Sequence, residues 1–399
     1  MIVISLGIIS VGVIFGIFNL ILIPYLSAQF GSQSIPGQLI SLGMLSTIFL
    51  SPLLGFLSDR IRKRTPFIFA ITLMASLGII GLTLHSLVLK GISAVILVAS
   101  AYSFLTPYSA LVSDYSTIES KDRNYGFVTG VMSLSTFITS LFIRAIYDSK
   151  PNLTFLVLGI VVLISIAPTM IYTKKHPVKF SEFEAGQKNS NSFNVLRKYP
   201  GLLAYFIMEF GLWFALGGLF PYLTSFLNSE ASMNIGTASA WIGASTFFSG
   251  IVSFATGKFS KIIGQKRLFI ISLTTITSFS AVIALFYHSI LTASATSVFA
   301  IACFITLSIA TGFLYSLNSS ILSTMVSEID QGKVFGINSV IVVISQSISV
   351  SLIGSVIDSR GYQWMFVVIS LSLVLANISA FYISSFPIGK NKKNQTVSP

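Results

Sequence analysis

Charge is what this chain lacks most. Of its 399 residues, 9% are Asp, Glu, Lys or Arg, where a soluble domain carries about 25%. With 53% apolar residues and a mean hydropathy of +0.86, water is excluded as the solvent for most of the sequence, and a lipid bilayer is the expected surroundings. Cysteine occurs once, at Cys303, so an intrachain disulfide and a cysteine-built zinc cluster are excluded. The histidines His85, His176 and His288 are scattered and make no metal site. No Gly-x4-Gly-Lys-[Ser/Thr] run occurs, so this chain is not expected to be driven by ATP, and no cofactor is expected. Met1 is not followed by a charged stretch and a small-residue cleavage site, so the first apolar run reads as a retained span.

What is present is a series of long apolar runs. A membrane helix needs about 20 residues to cross roughly 30 Å of hydrocarbon. Twelve runs qualify: 3–26, 36–58, 66–87, 91–113, 124–147, 153–173, 201–227, 234–258, 268–287, 294–326, 334–357 and 362–386. The tenth is too long for one perpendicular helix and must tilt, break near Gly312 or project from the bilayer. A polar stretch, Lys174 to Pro200, divides the runs six and six. This predicts an N-terminal six-helix bundle over 1–173, a central loop over 174–200, a C-terminal bundle over 201–386 and a tail over 387–399.

Orientation follows from the basic residues. With both termini on one side, that side receives 20 of the 24 Lys and Arg, and the other keeps only Lys90, Arg144, Lys150 and Arg360. By the positive-inside rule, the termini and the central loop are expected in the cytosol, in a multi-pass protein of the cell membrane. The net charge of +12 is therefore a topology signal rather than a nucleic-acid footprint, with attraction to anionic lipid head groups as a by-product.

The two halves echo each other. Pro24-Tyr25-Leu26 matches Pro221-Tyr222-Leu223, Gly55-x3-Asp59 matches Gly257-x3-Lys261, Val112-Ser113-Asp114 matches Val326-Ser327-Glu328, and Arg123-x2-Gly126 matches Lys333-x2-Gly336. The offsets are 197, 202, 214 and 210 residues, in the same order along both halves. Duplicated six-helix halves imply a pseudo-two-fold axis along the membrane normal, a substrate site near the midplane between the halves, and alternating access.

The loop Gly55-Phe56-Leu57-Ser58-Asp59-Arg60-Ile61-Arg62-Lys63-Arg64 resembles the signature that joins the second and third helices of major facilitator superfamily transporters. It departs at Arg62, where that signature has Gly; the second copy keeps it as Gly264. Pro52-x2-Gly55-x2-Ser58-Asp59-Arg60, Arg64-x-Pro66-Phe67-Ile68, Pro107-Tyr108-Ser109-Ala110-Leu111-x2-Asp114 and Gly332-x3-Gly336-x-Asn338-x2-Ile341-Val342-x3-Gln346-x2-Ser349 look like the sucrose–proton and glycoside–cation symporter group. The resemblance covers most of the chain. It implies an all-α membrane fold of twelve transmembrane helices in two pseudo-symmetric bundles. It also implies a gating role for Gly55, Asp59, Arg60, Arg64, Asp114 and Arg123. Asp59 would latch onto the positive N-terminal end of the eleventh helix near Val334. Asp114 and Arg123 would join Arg60 and Arg64 in a charge network.

Glu209 is the one carboxylate well inside a run, about 12 Å from its nearer end. An ionised acid in hydrocarbon is costly, so it should face a cavity or a partner, or hold a proton, and it is the candidate for proton coupling. The competing readings are a structural hydrogen bond to a neighbouring helix and a later helix start that leaves Glu209 near the surface. Trp213 lies one turn further on the same face, where its ring could stack against a sugar. The first span has no acid, only Asn19. Asn19, Trp213, Tyr315, Asn318, Asn338 and Gln346 are the candidate substrate-binding residues, since a neutral polyol needs donors, acceptors and an aromatic wall. Small hydroxyl residues also simply pack membrane helices.

The expected function is a monomeric, non-enzymatic secondary transporter that moves a small solute, a sugar with a proton. Efflux of amphipathic drugs or metabolites is the alternative, and a non-transporting sensor or scaffold the remote one.

Overall fold

The computed structural model describes residues 2–61, 63–116, 121–176, 197–199, 201–287 and 296–385. Twelve helices run antiparallel in sequence: α1 (Val3–Phe30), α2 (Ser34–Ile61), α3 (Thr65–Gly81), α4 (Leu87–Asp114), α5 (Lys121–Ile146), α6 (Pro151–Lys175), α7 (Gly201–Ser229), α8 (Ile235–Ile263), α9 (Gln265–Leu285), α10 (Thr296–Met325), α11 (Glu328–Arg360) and α12 (Tyr362–Ser385). Eleven hold a stretch long and apolar enough to cross a membrane, and α3 is a 17-residue apolar helix. The six on each side of the central loop form the two bundles. Most of that loop (177–196 and 200) and the tail from 386 lie outside the described residues.

Local chemistry sets the helix ends. Gly31, at φ 66°, stops α1, and Gly361, at φ 83°, stops α11, backbone conformations that glycine adopts without strain. Proline opens α3 and α6 where its missing N–H costs nothing. Asn234 caps α8 by accepting from the Thr237 amide at 3.0 Å. Some expected boundaries move. The first run continues four residues past Leu26, and α3 stops at Gly81, with turns from Leu82. Gly312 does not break α10, which is one helix of 30 residues; instead the glycine lets the α8 backbone approach, since a Cβ there would meet the Ser249 carbonyl at 2.6 Å.

Among the described residues five helices carry prolines beyond the first turn, Pro24 in α1, Pro52 in α2, Pro107 in α4, Pro168 in α6 and Pro221 in α7, and α1 is π-helical over Phe18–Leu22. Both features loosen a helix backbone. Such segments persist in membrane helices where neighbouring helices and side chains satisfy the freed groups.

Helix ends rich in Lys and Arg, at Arg60, Arg64, Lys174, Lys175, Lys258, Lys261 and Lys266, mark one face of the bundle, called here the basic face; the opposite one is the far face. Between the halves, α2 packs along α11 and α5 along α8. Both crossings are tight toward the far face. Ser41 Oγ lies 2.7 Å from Ser347 Oγ, and a Cβ on Gly354 of α11 would meet the Gln33 carbonyl at 2.5 Å. Toward the basic face the same helices part: among the described residues, Gly257, Gly332 and Gly336 have nothing within 4 Å of a Cβ position. The molecule is closed at the far face and open at the basic one.

Candidate functional site

The gap between the halves is a cavity of about 770 Å³, inside the range of small-molecule sites. Helices of both bundles wall it, and it runs to Gly55 and Gly336 at the basic end. Both walls mix aromatic and polar side chains. On the N-terminal side, Phe15, Phe18 and Tyr102 form an aromatic cluster, with Phe15 and Phe18 ring centroids 5.6 and 6.0 Å from that of Tyr102. The π-helical turn of α1 sets Phe18 and Asn19 on the lining. On the C-terminal side the lining includes Trp213 of α7, Tyr315 of α10, and Asn338 and Gln346 of α11. Trp213 and Tyr315 rings lie 5.6 Å apart.

Glu209 is fully buried one layer behind this wall. Its Oε2 accepts from Trp213 Nε1 at 2.8 Å and from Asn338 Nδ2 at 3.4 Å. Its Oε1 has no hydrogen bond of normal geometry, although Asn318 and Tyr205 stand beside it. Tyr205 instead donates to Asn318 Oδ1 at 2.7 Å. Two further buried acceptors are unmatched, Asn338 Oδ1 and Gln346 Oε1, and both residues line the cavity. Unpaired buried oxygens are costly, so these three acceptors are short of donors.

The candidates from sequence therefore fall into groups. Asn19, Gly55, Trp213, Tyr315, Asn338 and Gln346 line the cavity. Glu209 and Asn318 stand behind it, Glu209 joined to it through Trp213 and Asn338 and Asn318 bonded to Tyr205. Trp213 spends its indole N–H on the carboxylate, a partnership that the one-turn spacing allowed but did not disclose. Ser345 and Ser349, which share a face with Asn338, donate to the Phe210 and Phe214 carbonyls and fix α11 against α7. Thr136 ties α5 to the Gly12 carbonyl of α1 at 3.0 Å.

Of the gating set, Arg64 and Asp114 form an ion pair within the N-terminal half at the basic face, with Nη2 also 3.4 Å from Oδ1. Arg60 is exposed at the end of α2. The side chains of Asp59 and Arg123 lie outside the described residues. At the same face Asp330 accepts from Lys198 Nζ at 2.7 Å and Tyr199 Oη at 3.0 Å, which fastens the chain entering α7 to the start of α11. These two partners hold the Lys198 ammonium pKa above its ordinary value.

Sequence reasoning missed Asp358 and the role of Asp148. Both are exposed carboxylates at the far face, and each accepts from backbone N–H groups at the start of a helix in the other half.

A duplicated twelve-helix bundle whose halves enclose a cavity open to one face is the architecture of an alternating-access carrier. The chain belongs to the Major Facilitator Superfamily: the family's model matches residues 4–286 and again 206–398. Solved structures agree on the fold. A crystal structure of a point mutant of the nucleoside transporter NupG superposes with a TM-score of 0.76 at 14% identity, over 96% of this chain and 98% of that one. A bacterial homologue of the human lysosomal transporter Spinster, inward-facing and unoccupied, gives 0.73 at 14% identity over 96% and 95%. A bacterial homologue of the iron transporter ferroportin, in an inward-facing state, gives 0.73 at 13% identity over 96% and 98%. No curated protein matches the chain. These solved proteins share the fold, and the cargoes they are named for are as different as nucleosides and iron.

Proposed function

We propose that this chain is a secondary active transporter that carries a small, hydrogen-bonding solute, in the first instance a sugar, together with a proton. The observation that carries the reading is the pairing of unmatched carboxamide acceptors with a buried acid. Among the described residues, Asn338 Oδ1 and Gln346 Oε1 are unmatched buried acceptors on residues that line the cavity, and Asn338 also touches Glu209. Hydroxyl groups of a sugar would supply the missing donors once these carboxamides turn toward the cavity. Its flatter carbon face would rest on the Phe15, Phe18 and Tyr102 cluster.

Glu209 is the proton site in this scheme. A solute that draws Asn338 toward itself removes a donor from the carboxylate and so favours proton uptake there. Binding at the cavity and protonation one layer behind are thereby linked. One proton crossing a 100 mV potential releases about 2.3 kcal/mol, which sustains roughly a 50-fold solute gradient. The basic face is taken as cytosolic and the membrane as the cell membrane. The present state is then the inward-open one, and a monomer suffices because one chain builds the whole cavity.

The aromatic cluster also favours a second reading, efflux of amphipathic compounds whose apolar part lies against Phe15, Phe18 and Phe220. One experiment separates the two. The purified chain is reconstituted in liposomes, an inward proton gradient is imposed, and labelled mono- and disaccharides are supplied with and without an uncoupler. Gradient-dependent accumulation is expected. Equilibration without accumulation would reduce the proposal to facilitated diffusion, and absence of any sugar flux would favour efflux.

A further inference from the structure

The far face is shut by two carboxylates that occupy equivalent places in the repeat. Asp358, two residues before the end of α11, accepts from Ser32 Oγ at 2.6 Å and from the Gln33 and Ser34 amides, both at 2.8 Å. These amides open α2. Asp148, just past the end of α5, accepts from the Gly236 amide with both oxygens at 3.1 Å. That amide opens α8. Asp148 and Asp358 are 210 residues apart, and Ser34 and Gly236 are 202 apart. These are the offsets that separate the repeat matches of α5 from α11 and of α2 from α8. The two contacts are therefore one contact made twice, each crossing from one bundle to the other.

The surrounding packing repeats as well. A Cβ on Gly236 would meet the Arg144 carbonyl at 3.1 Å, and a Cβ on Gly354, 210 residues after Arg144, would meet the carbonyl of Gln33, the residue before Ser34. At both sites a helix start is pressed against the end of its partner, with a carboxylate set over exposed amides. A negative charge at a helix N-terminus is favourable because the first amides lack intrahelical partners. Here the acceptor belongs to the other half, so the stabilisation exists only while the far gate is closed. Opening returns both carboxylates and the amides to water.

We infer that Asp148 and Asp358 are the paired far-gate latches of the transport cycle, gating residues that set how much of the protein rests open to the basic face. They touch no solute. Their effect is on the conformational equilibrium, and because the latches are equivalent, each holds a share of it. A carboxylate–helix contact of this kind shifts a two-state equilibrium by roughly tenfold when partly shielded and less when solvated. Both aspartates are exposed, so a several-fold shift for each and the product of the two for the pair is the expectation.

The test is labelling of single cysteines by a water-soluble maleimide, on purified full-length protein with Cys303→Ser. Ser347→Cys reports the far gate, where Ser347 is 1% exposed. Ser339→Cys reports the basic-face mouth, where Ser339 is exposed and lines the cavity. In the background of Asp148→Ala or Asp358→Ala, labelling at the Ser347 reporter should rise several-fold while labelling at the Ser339 reporter falls. The double variant should show the product of the two effects, and Asp→Asn at either site, which keeps one acceptor oxygen, should fall between. Unchanged rates in the double variant would overturn the inference. So would a rise at both reporters together, since that is general loosening and not a shift of access.

Discussion

At the scale of single residues, Glu209 bears the greatest demand. A carboxylate at the centre of a membrane helix costs about 3 kcal/mol on insertion scales when charged, and here Trp213 and Asn338 donate to it, at 2.8 and 3.4 Å. Two donors on one oxygen and none of normal geometry on the other suit a group that gains and loses a proton more than one fixed for structure. Glu209→Gln keeps the shape and removes the exchange of a proton. Accumulation above equilibrium in proteoliposomes should vanish, while exchange of labelled for unlabelled solute across the same membrane continues. Accumulation at the wild-type level in that variant would take Glu209 out of the mechanism. Trp213→Phe removes one donor and leaves the acid, so it should slow uptake by less than Glu209→Gln and preserve the response to an uncoupler.

How much of this was legible beforehand differs by residue. Glu209 stood out because hydrocarbon makes any acid conspicuous, and Asn338 and Gln346 because carboxamides, unlike hydroxyls, are few in mid-span. Phe15 and Phe18 did not, for in a chain with 34 phenylalanines no single one carries information. Asp148 and Asp358 were hidden for a different reason. An aspartate at a helix end is ordinary, and its partner here is the start of a helix in the other half, which only the fold brings near. The shared offset of 210 residues was the available signal, and it needed the repeat to be extended past its four short matches.

At the scale of helices, two antiparallel pairs form the seams between the halves, α2 with α11 and α5 with α8. Small residues line their far-face seams. Ser41 faces Ser347, and Gly243 receives Ser140 where any Cβ would collide with its hydroxyl. Close backbone approach of this type is what holds membrane helices together where lipid competes equally for apolar side chains. The Ser41 and Ser347 oxygens, 2.7 Å apart, give a direct handle. With Cys303→Ser, the pair Ser41→Cys and Ser347→Cys should cross-link under oxidant, hold the far gate shut and stop solute flux, and reductant should restore it. Flux that persists through a completed cross-link would mean that this seam does not part during transport. The helices were legible from run length, and their partners were not. Which spans meet across the two halves depends on the pseudo-two-fold arrangement, and no residue pattern within α2 or α11 names its mate.

At the scale of the molecule, charge and conformation have to agree. Twenty of 24 basic residues are assigned to the face that carries the termini, and the cavity opens to that face. If the basic face is cytosolic, the state described is the one in which solute exchanges with the cytosol, and the Asp148 and Asp358 contacts are the seal against the outside. The assignment can be checked in cells without knowing the solute. A protease-cleavable tag in the central loop between 177 and 196, or at the C-terminus, should be protected in intact cells and cut in inside-out vesicles. The same tag at Lys150, between α5 and α6, should behave in the opposite way. The reverse pattern would place the open cavity outside. The latches would then seal the cytosolic side, and an inward proton gradient would meet Glu209 from the open side in this state, so uptake assays would have to be read with the direction of access exchanged. Agreement would fix more than topology. It would mean that a proton reaching Glu209 from outside must first break both inter-half contacts, so coupling and gating would share one rate-setting step. Asp148→Ala with Asp358→Ala would then speed proton entry in the same vesicles in which Glu209→Gln abolishes accumulation.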